Sequence, residues 1–263
     1  MSEQATPVLV ADRVVVARRS LQVLKTVSAA FNAGEWTAVV GPNGAGKSTF
    51  LALLAGLLPP FTGAVRLAGR HLVDYSARER AARLTWFGQA STLEGDIAAL
   101  EVVRLGRLPR FGLFGAPDAT DEAAVRAAMD ETEATPFAGR RLNELSAGER
   151  QRVLLARAFA ADATVCLYDE PTIHLDAPHQ RRLIQSLISR ARAGATVISV
   201  LHDLTLALAA DRLIVMAGGK IRADGRPGDE FVRDVLTAVF EHAFTIEALG
   251  SSERPRWAAV PIF

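Results

Sequence analysis

Nine residues, Gly41-Pro42-Asn43-Gly44-Ala45-Gly46-Lys47-Ser48-Thr49, constrain this chain more than any other stretch. They follow a short apolar run, Trp36-Thr37-Ala38-Val39-Val40, that reads as a buried strand. They precede STFLALLAGLL (48–58), which reads as a helix stopped by Pro59-Pro60. Glycines in such a turn let the backbone point its N–H groups inward around phosphate oxygens. The following helix presents its positive end to the same point. Lysine is scarce: Lys25, Lys47 and Lys220 stand against 27 arginines. A compact ammonium on a flexible stem reaches β- and γ-phosphates in a cradle too tight for a planar guanidinium, which accounts for lysine at 47. Ser48 supplies a hydroxyl for Mg²⁺.

The bulk numbers fit an ordinary globular chain. It has 263 residues, 49% of them apolar and 22% charged. The net charge of +1 gives no electrostatic case for nucleic acid. A single cysteine, Cys166, excludes an internal disulfide and a cysteine-built metal cluster, and is expected in the core. The start MSEQATPVLVADR lacks a basic end followed by a long apolar run, so no signal peptide is expected. No run of about 18 uncharged apolar residues suggests a transmembrane helix. The expectation is a soluble chain in a reducing compartment, able to dock on a membrane protein.

Elsewhere the pattern alternates. VLVADRVVVA (8–17), a segment around Val23-Leu24, VRLAGR (65–70), LTWFG (84–88), ATVCLY (163–168) and ATVISVL (195–201) read as strands. DRLIVMAGG with KIRADG reads as a hairpin, and PRWAAVPIF as a strand packed back on the body. From about 91 to 145 strand signals fade: LEVVRLGRL reads as helix, PRFGLFGAP as loop, DEAAVRAAMDETE as helix. A helix restarts after Ser146, a candidate N-cap. HQRRLIQSLISRARA and LTLALAA complete the helices. Alternating strands and helices predict a mostly parallel sheet covered on both faces.

Val165-Cys166-Leu167-Tyr168 delivers Asp169 and Glu170 to the end of a strand, where ligands bind in such sheets. Asp169 suits the Mg²⁺ shell and Glu170 suits polarising an attacking water. Side chains alternate along a strand, so the two acids can take different tasks.

Leu145-Ser146-Ala147-Gly148-Glu149-Arg150-Gln151-Arg152 resembles the signature motif of ATP-binding cassette (ABC) ATPases, which usually reads LSGGQ. Ala147 and Glu149 depart from it, as they do in functional members of the family. The resemblance implies a P-loop NTPase (RecA-like) α/β core with an N-terminal antiparallel β subdomain and an inserted α-helical subdomain. Residues 1–90 and 160–225 would form the core with its β subdomain, 91–159 the helical subdomain, and 226–263 a C-terminal tail. It also implies a head-to-tail dimer with two ATP molecules at the seam. Ser146, Gly148 and Glu149 of one copy would face the γ-phosphate on the other copy's loop. Gln89 matches the Q-loop, which meets Mg²⁺ and senses the partner. His174-Leu175-Asp176 matches the D-loop, with Asp176 crossing to the second copy, and His202 matches the switch histidine. Read without the family, a His–Asp pair after a strand is a helix cap. His71, His179 and His242 are expected to be surface or structural. An aromatic that usually stacks on adenine is missing; Arg18 occupies the place, either stacking on the base or simply solvated.

Three further stretches resemble cassettes that serve iron–siderophore, haem and cobalamin importers: Val102-Val103-Arg104-Leu105-Gly106-Arg107-Leu108-Pro109; Thr172-Ile173-His174-Leu175-Asp176 with His179-Gln180; and Gly225-Arg226-Pro227-Gly228 before VLTAVF. The implied partners are a second copy, a membrane permease and, indirectly, a substrate-binding protein. The implied place is the inner face of the cell membrane. The loop 109–115, with two phenylalanines, either meets the permease near Gln89 or is pinned to its own helices. The alternative is a cassette without a permease, such as an iron–sulfur assembly component. A chromosome-type ATPase needs a long coiled coil between the motifs, and here only about 96 residues separate Ser48 from Leu145.

Overall fold

The computed structural model of the chain describes residues 7–18, 21–88, 96–112, 115–250 and 256–262. The strands β1 (Leu9–Arg18) and β2 (Leu21–Phe31) pair antiparallel. β3 (Trp36–Val40) is buried throughout and runs into α1 (Lys47–Leu54). β4 (Thr62–Leu67) and β5 (Arg70–His71) extend the first pair into a sheet of order β2-β1-β4-β5. α2 (Ala77–Arg83) starts on a capping box in which Ser76 and Glu79 exchange hydrogen bonds, and leads directly into β6 (Leu84–Phe87).

Next comes a helical segment: α3 (Ala99–Arg104), the single turn α4 (Leu108–Phe111), α5 (Ala119–Glu131) and α6 (Ala147–Ala160). A buried ion pair ties it together. The Arg107 guanidinium donates to Asp121 Oδ1 at 2.8 Å and to the Ala160 carbonyl at 2.9 Å. This bond set joins the turn after α3 to α5 and α6. Gly106 permits it: a Cβ there would lie 2.2 Å from the Arg157 carbonyl oxygen.

The chain then returns to the main sheet with β7 (Val165–Asp169), α7 (Ala177–Arg192), β8 (Thr196–Val200), α8 (Leu204–Ala207), β9 (Arg212–Ala217) and β10 (Lys220–Gly225). α9 (Glu230–Val239) and the hairpin β11 (Phe244–Leu249) with β12 (Arg256–Pro261) finish it. The six-stranded order is β10-β9-β3-β8-β7-β6, parallel except for β10 at the edge.

Period-two alternation splits the core into two layers. Trp36, Ala38, Cys166 and Tyr168 face the helical segment. Val39, Val165, Leu167 and Ile198 face α1 and the small sheet with Phe31, Phe50 and Leu54. Each such fully buried large side chain contributes about 1.5–3 kcal/mol.

The expected α/β class, the antiparallel sheet, the β9–β10 hairpin and the buried Cys166 are all present. Two expectations need correction. α1 ends at Leu54 rather than 58, because Gly56 turns to φ 70°. The segment expected as loop from Pro109 contains α4, with Pro109 in its first turn where no N–H is needed. The last strand packs back on the body as expected: the Ala259 N–H of β12 donates to Thr205 Oγ1 at 3.2 Å, and β12 also pairs with β11. α2, α9 and β11 were not expected from the sequence, although in α9 the spacing of Val232, Val235, Leu236 and Val239 is that of an amphipathic helix.

Candidate active site

The loop between β3 and α1 is a cradle made by glycine. Gly41 sits at φ 148°, and a Cβ there would fall 2.0 Å from the Met216 carbonyl oxygen. Gly46 caps α1 at φ 97°, with its Cβ position 2.9 Å from Leu24 Cδ2. Gly44, at φ 78°, has open space beside it, and it and Asn43 are exposed. The Ala45 N–H closes the turn onto the Pro42 carbonyl at 3.2 Å. No side chain caps α1, so its first-turn N–H groups have no side-chain competitor for an anion. Thr49 is half-buried on the first turn.

Lys47 is buried in this cradle. Its Nζ donates to the carbonyls of Gly41 at 2.7 Å and Pro42 at 3.0 Å. Burial pushes the amine below its usual range, while the carboxylates of Glu170 and Asp169 pull it back. Beside it the Ser48 hydroxyl donates to Asp169 Oδ1 at 3.1 Å. Asp169 ends β7 and is 3% exposed. Burial pushes its carboxyl up, against the Ser48 hydrogen bond. A buried anion flanked by a hydroxyl is a hard oxygen donor set of the kind Mg²⁺ takes while keeping several waters.

Glu170 takes a left-handed backbone, φ 52°, and its N–H donates to the Val200 carbonyl at 3.1 Å. Such a conformation in a non-glycine residue costs energy and clusters at functional sites. Its Oε1 lies 2.5 Å from Nε2 of His202, just past β8. The carboxylate is about 10% exposed and the imidazole 46%, so the pair opens to solvent on the histidine side. Lys47, Ser48, Asp169, Glu170 and His202 thus converge at the C-terminal ends of β3, β7 and β8.

A second group lies on the rim. Ser146 N-caps α6: its Oγ accepts from the Glu149 N–H at 3.3 Å, and Glu149 accepts from the Ser146 N–H at 2.8 Å. Arg140 pairs with the same Glu149 carboxylate at 3.1 Å. Glu149 is therefore committed to holding the helix start, and Ser146 itself is exposed. Gly148 lets α6 approach the next turn: a Cβ there would be 2.8 Å from the His174 carbonyl oxygen. Asp176 caps α7 through the His179 N–H at 3.1 Å. Asp203 caps α8 in the same way, so the cap reading of the His202-Asp203 pair after β8 holds for its aspartate.

His179, expected to be surface or structural, is more engaged than its sequence suggests. Its Nδ1 bonds the Asp176 carboxylate, and its Nε2 lies 3.3 Å from Glu133 at the end of α5. Hydrogen bonding to His179 holds the Asp176 carboxyl below its usual range. Gln151 adds a second link, donating to the Pro171 carbonyl at 3.0 Å. The His179-Gln180 pair was visible in the sequence, but its Glu133 partner, 46 positions earlier, was not. Gln89 lies outside the described residues, as do the side chain of Arg18 and, in the 109–115 loop, Leu113 and Phe114. The Arg18 backbone pairs with Leu21.

The family model described as "ABC transporter" matches residues 24–173. The hemin import ATP-binding protein HmuV of Streptomyces coelicolor is 47% identical over 220 residues, spanning 83% of this chain and 78% of the relative. A metal-chelate type ABC transporter in an inward-facing conformation superposes with a TM-score of 0.80 at 25% identity, covering 98% of both chains. A dimeric ATP-binding cassette in a post-hydrolysis state with ADP and Pi superposes at 0.75 with 27% identity, over 84% of this chain and 99% of that one. The chain belongs to the ABC transporter family, as an ATP-binding subunit that hydrolyses ATP to drive transport.

Proposed function

We propose that two copies of the chain, arranged head to tail, clamp two ATP molecules and drive a permease that imports haem or a related metal chelate. In this reading the loop Gly41–Thr49 of one copy wraps the phosphates, and the exposed Ser146 and the half-buried Gly148 of the other face the γ-phosphate. Asp176 reaches towards the second copy from its cap, Glu149 acts by holding Ser146 in place, and Arg18 lies against the adenine. The dimeric relative supports the pairing, and the hemin and metal-chelate relatives support the cargo class.

The observation that carries the chemistry is the Glu170–His202 contact beside Lys47, Ser48 and Asp169. Glu170 accepts a proton from the attacking water, whose oxygen bonds the γ-phosphorus as the bond to the β-bridging oxygen breaks. His202 and Lys47 offset the charge gathering on the transferring oxygens. Ser48 and Asp169, with Gln89, would hold Mg²⁺, which when bound neutralises phosphate charge. ADP and phosphate leave, and the copies part.

No helix among the described residues is long and apolar enough to cross a membrane. The proposed location is therefore peripheral, on the cytoplasmic face, through the permease, with a substrate-binding protein acting from the other side. The test is reconstitution of the chain with its copurifying permease in vesicles. ATP-dependent uptake of haem, lost on Glu170→Gln, is the expected result. Uptake of no metal chelate by an ATPase-active complex would remove the cargo assignment.

A further inference from the structure

Ser146 and Asp176, the two residues read above as facing a second copy, cap different helices, and those helices meet again at one residue. From α6, Arg152 donates to the Glu133 carbonyl at 3.1 Å. From α7, Nε2 of His179 lies 3.3 Å from Glu133 Oε2, and Arg182 pairs with Glu133 Oε1 at 3.0 Å. Glu133 stands just past the end of α5 in a left-handed backbone, φ 54°, a conformation that costs energy in a non-glycine residue. The other ring nitrogen of His179, Nδ1, bonds the Asp176 carboxylate. Both ring nitrogens therefore face carboxylate oxygens, which only accept, so the bridging ring donates from each and is cationic. Without the ring, two like charges face each other and repel.

Exposure argues against a role in stability. The side chains of Asp176, Glu133 and His179 are 64%, 36% and 27% exposed, and pairs so open to water contribute little to folding. α5 and α7 are also fastened elsewhere, by Arg190 and Glu131 at 2.6 Å. The Gln151–Pro171 bond and the Gly148–His174 approach bring α6 near the turn before α7, and neither touches the Asp176 side chain. What the imidazole adds is a link from the cap of one helix to the residue that anchors the other.

We infer that His179 is a positioning residue for ATP hydrolysis: by bridging Asp176 to Glu133 it ties the Asp176 cap to the helix that Ser146 begins, so that both reach the second copy as one unit. The inference rests on the two-copy reading above.

The test starts from His179→Leu, which removes the bridge and keeps an apolar side chain in its place. The Asp176 cap survives, because its donor is the His179 backbone N–H. Hydrolysis at saturating ATP should slow by about 3- to 30-fold. Affinity for ADP, which one copy's own loop determines, should stay within about twofold of the parent. Glu133→Ala breaks the bridge from the α5 side, keeps the carbonyl that Arg152 bonds, and should also slow hydrolysis. The double variant should be no slower than the slower single, because both remove one link. Arg182→Met strips Glu133 of its other cation without touching Asp176 and should turn over like the parent. Turnover by His179→Leu within about twofold of the parent overturns the inference and leaves the two-copy reading standing. So does an equal loss in Arg182→Met, which marks general packing of α5 on α7, or losses that multiply in the double variant. If His179→Leu fails to bind ADP it has misfolded, and Glu133→Ala decides by the same two readings. A Glu170→Gln chain that stays monomeric at saturating ATP overturns the two-copy reading and this inference together.

Discussion

Arg107→Ala should cost far more than a typical surface charge. The side chains of Arg107 and Asp121 are 5% and 8% exposed, and the guanidinium serves both Asp121 Oδ1 and the Ala160 carbonyl. Removing it leaves a buried carboxylate whose remaining bond is the Asp118 N–H, and a helix-end carbonyl with no donor. Breaking a buried pair from one side costs about 3–5 kcal/mol. For a chain of this size that is roughly 6–20 °C in melting temperature. Replacing both partners with apolar residues, Arg107→Met with Asp121→Leu, should recover most of the loss, because no charge is then stranded. Urea titration followed by circular dichroism measures all three chains. A single-variant loss under about 1 kcal/mol, the range of a solvated pair, would refute the reasoning. So would a double variant no more stable than the single.

Glu170→Gln should bind ATP as the parent does and release phosphate about 10²–10⁴-fold more slowly, and normal turnover in a phosphate-release assay removes Glu170 from the proton-accepting role. Gly41→Ala forces a Cβ against the Met216 carbonyl at a positive φ, so it should lose at least about 2 kcal/mol in denaturant and weaken nucleotide binding; an unchanged midpoint contradicts the geometry. Asp169→Asn should stabilise the nucleotide- and Mg²⁺-free chain by about 1 kcal/mol at neutral pH. Because burial raises the Asp169 pKa in the folded state, its contribution is most favourable at low pH and is lost as pH rises through the folded value. The gain should therefore vanish in acid, where the carboxyl is protonated folded and unfolded, and a gain independent of pH counts against a burial origin.

The nucleotide cradle was readable because its physics is local. Gly41, Gly46 and Lys47 sit within seven residues, and their conformations follow from the strand and helix that flank them. Ser146 and Glu149 were readable as a cap for the same reason. The Glu170–His202 contact spans 32 positions: the end of β7 nominated Glu170, but only the family resemblance nominated His202. Arg107 shows the opposite limit. Its stretch was readable as a mark of one importer branch, yet its partners Asp121 and Ala160 come from two other helices, so its structural task was invisible. α2, with seven residues and no buried side chain, offered no apolar stripe to detect.

The seam between two copies is tested most directly by sedimentation of the Glu170→Gln chain with ATP and Mg²⁺. The account predicts a species of twice 28.2 kDa with ATP, which reverts to 28.2 kDa with ADP, and in Lys47→Ala or Ser146→Arg backgrounds. A chain that stays monomeric at saturating ATP, or pairs equally well without nucleotide or without Ser146, would contradict it.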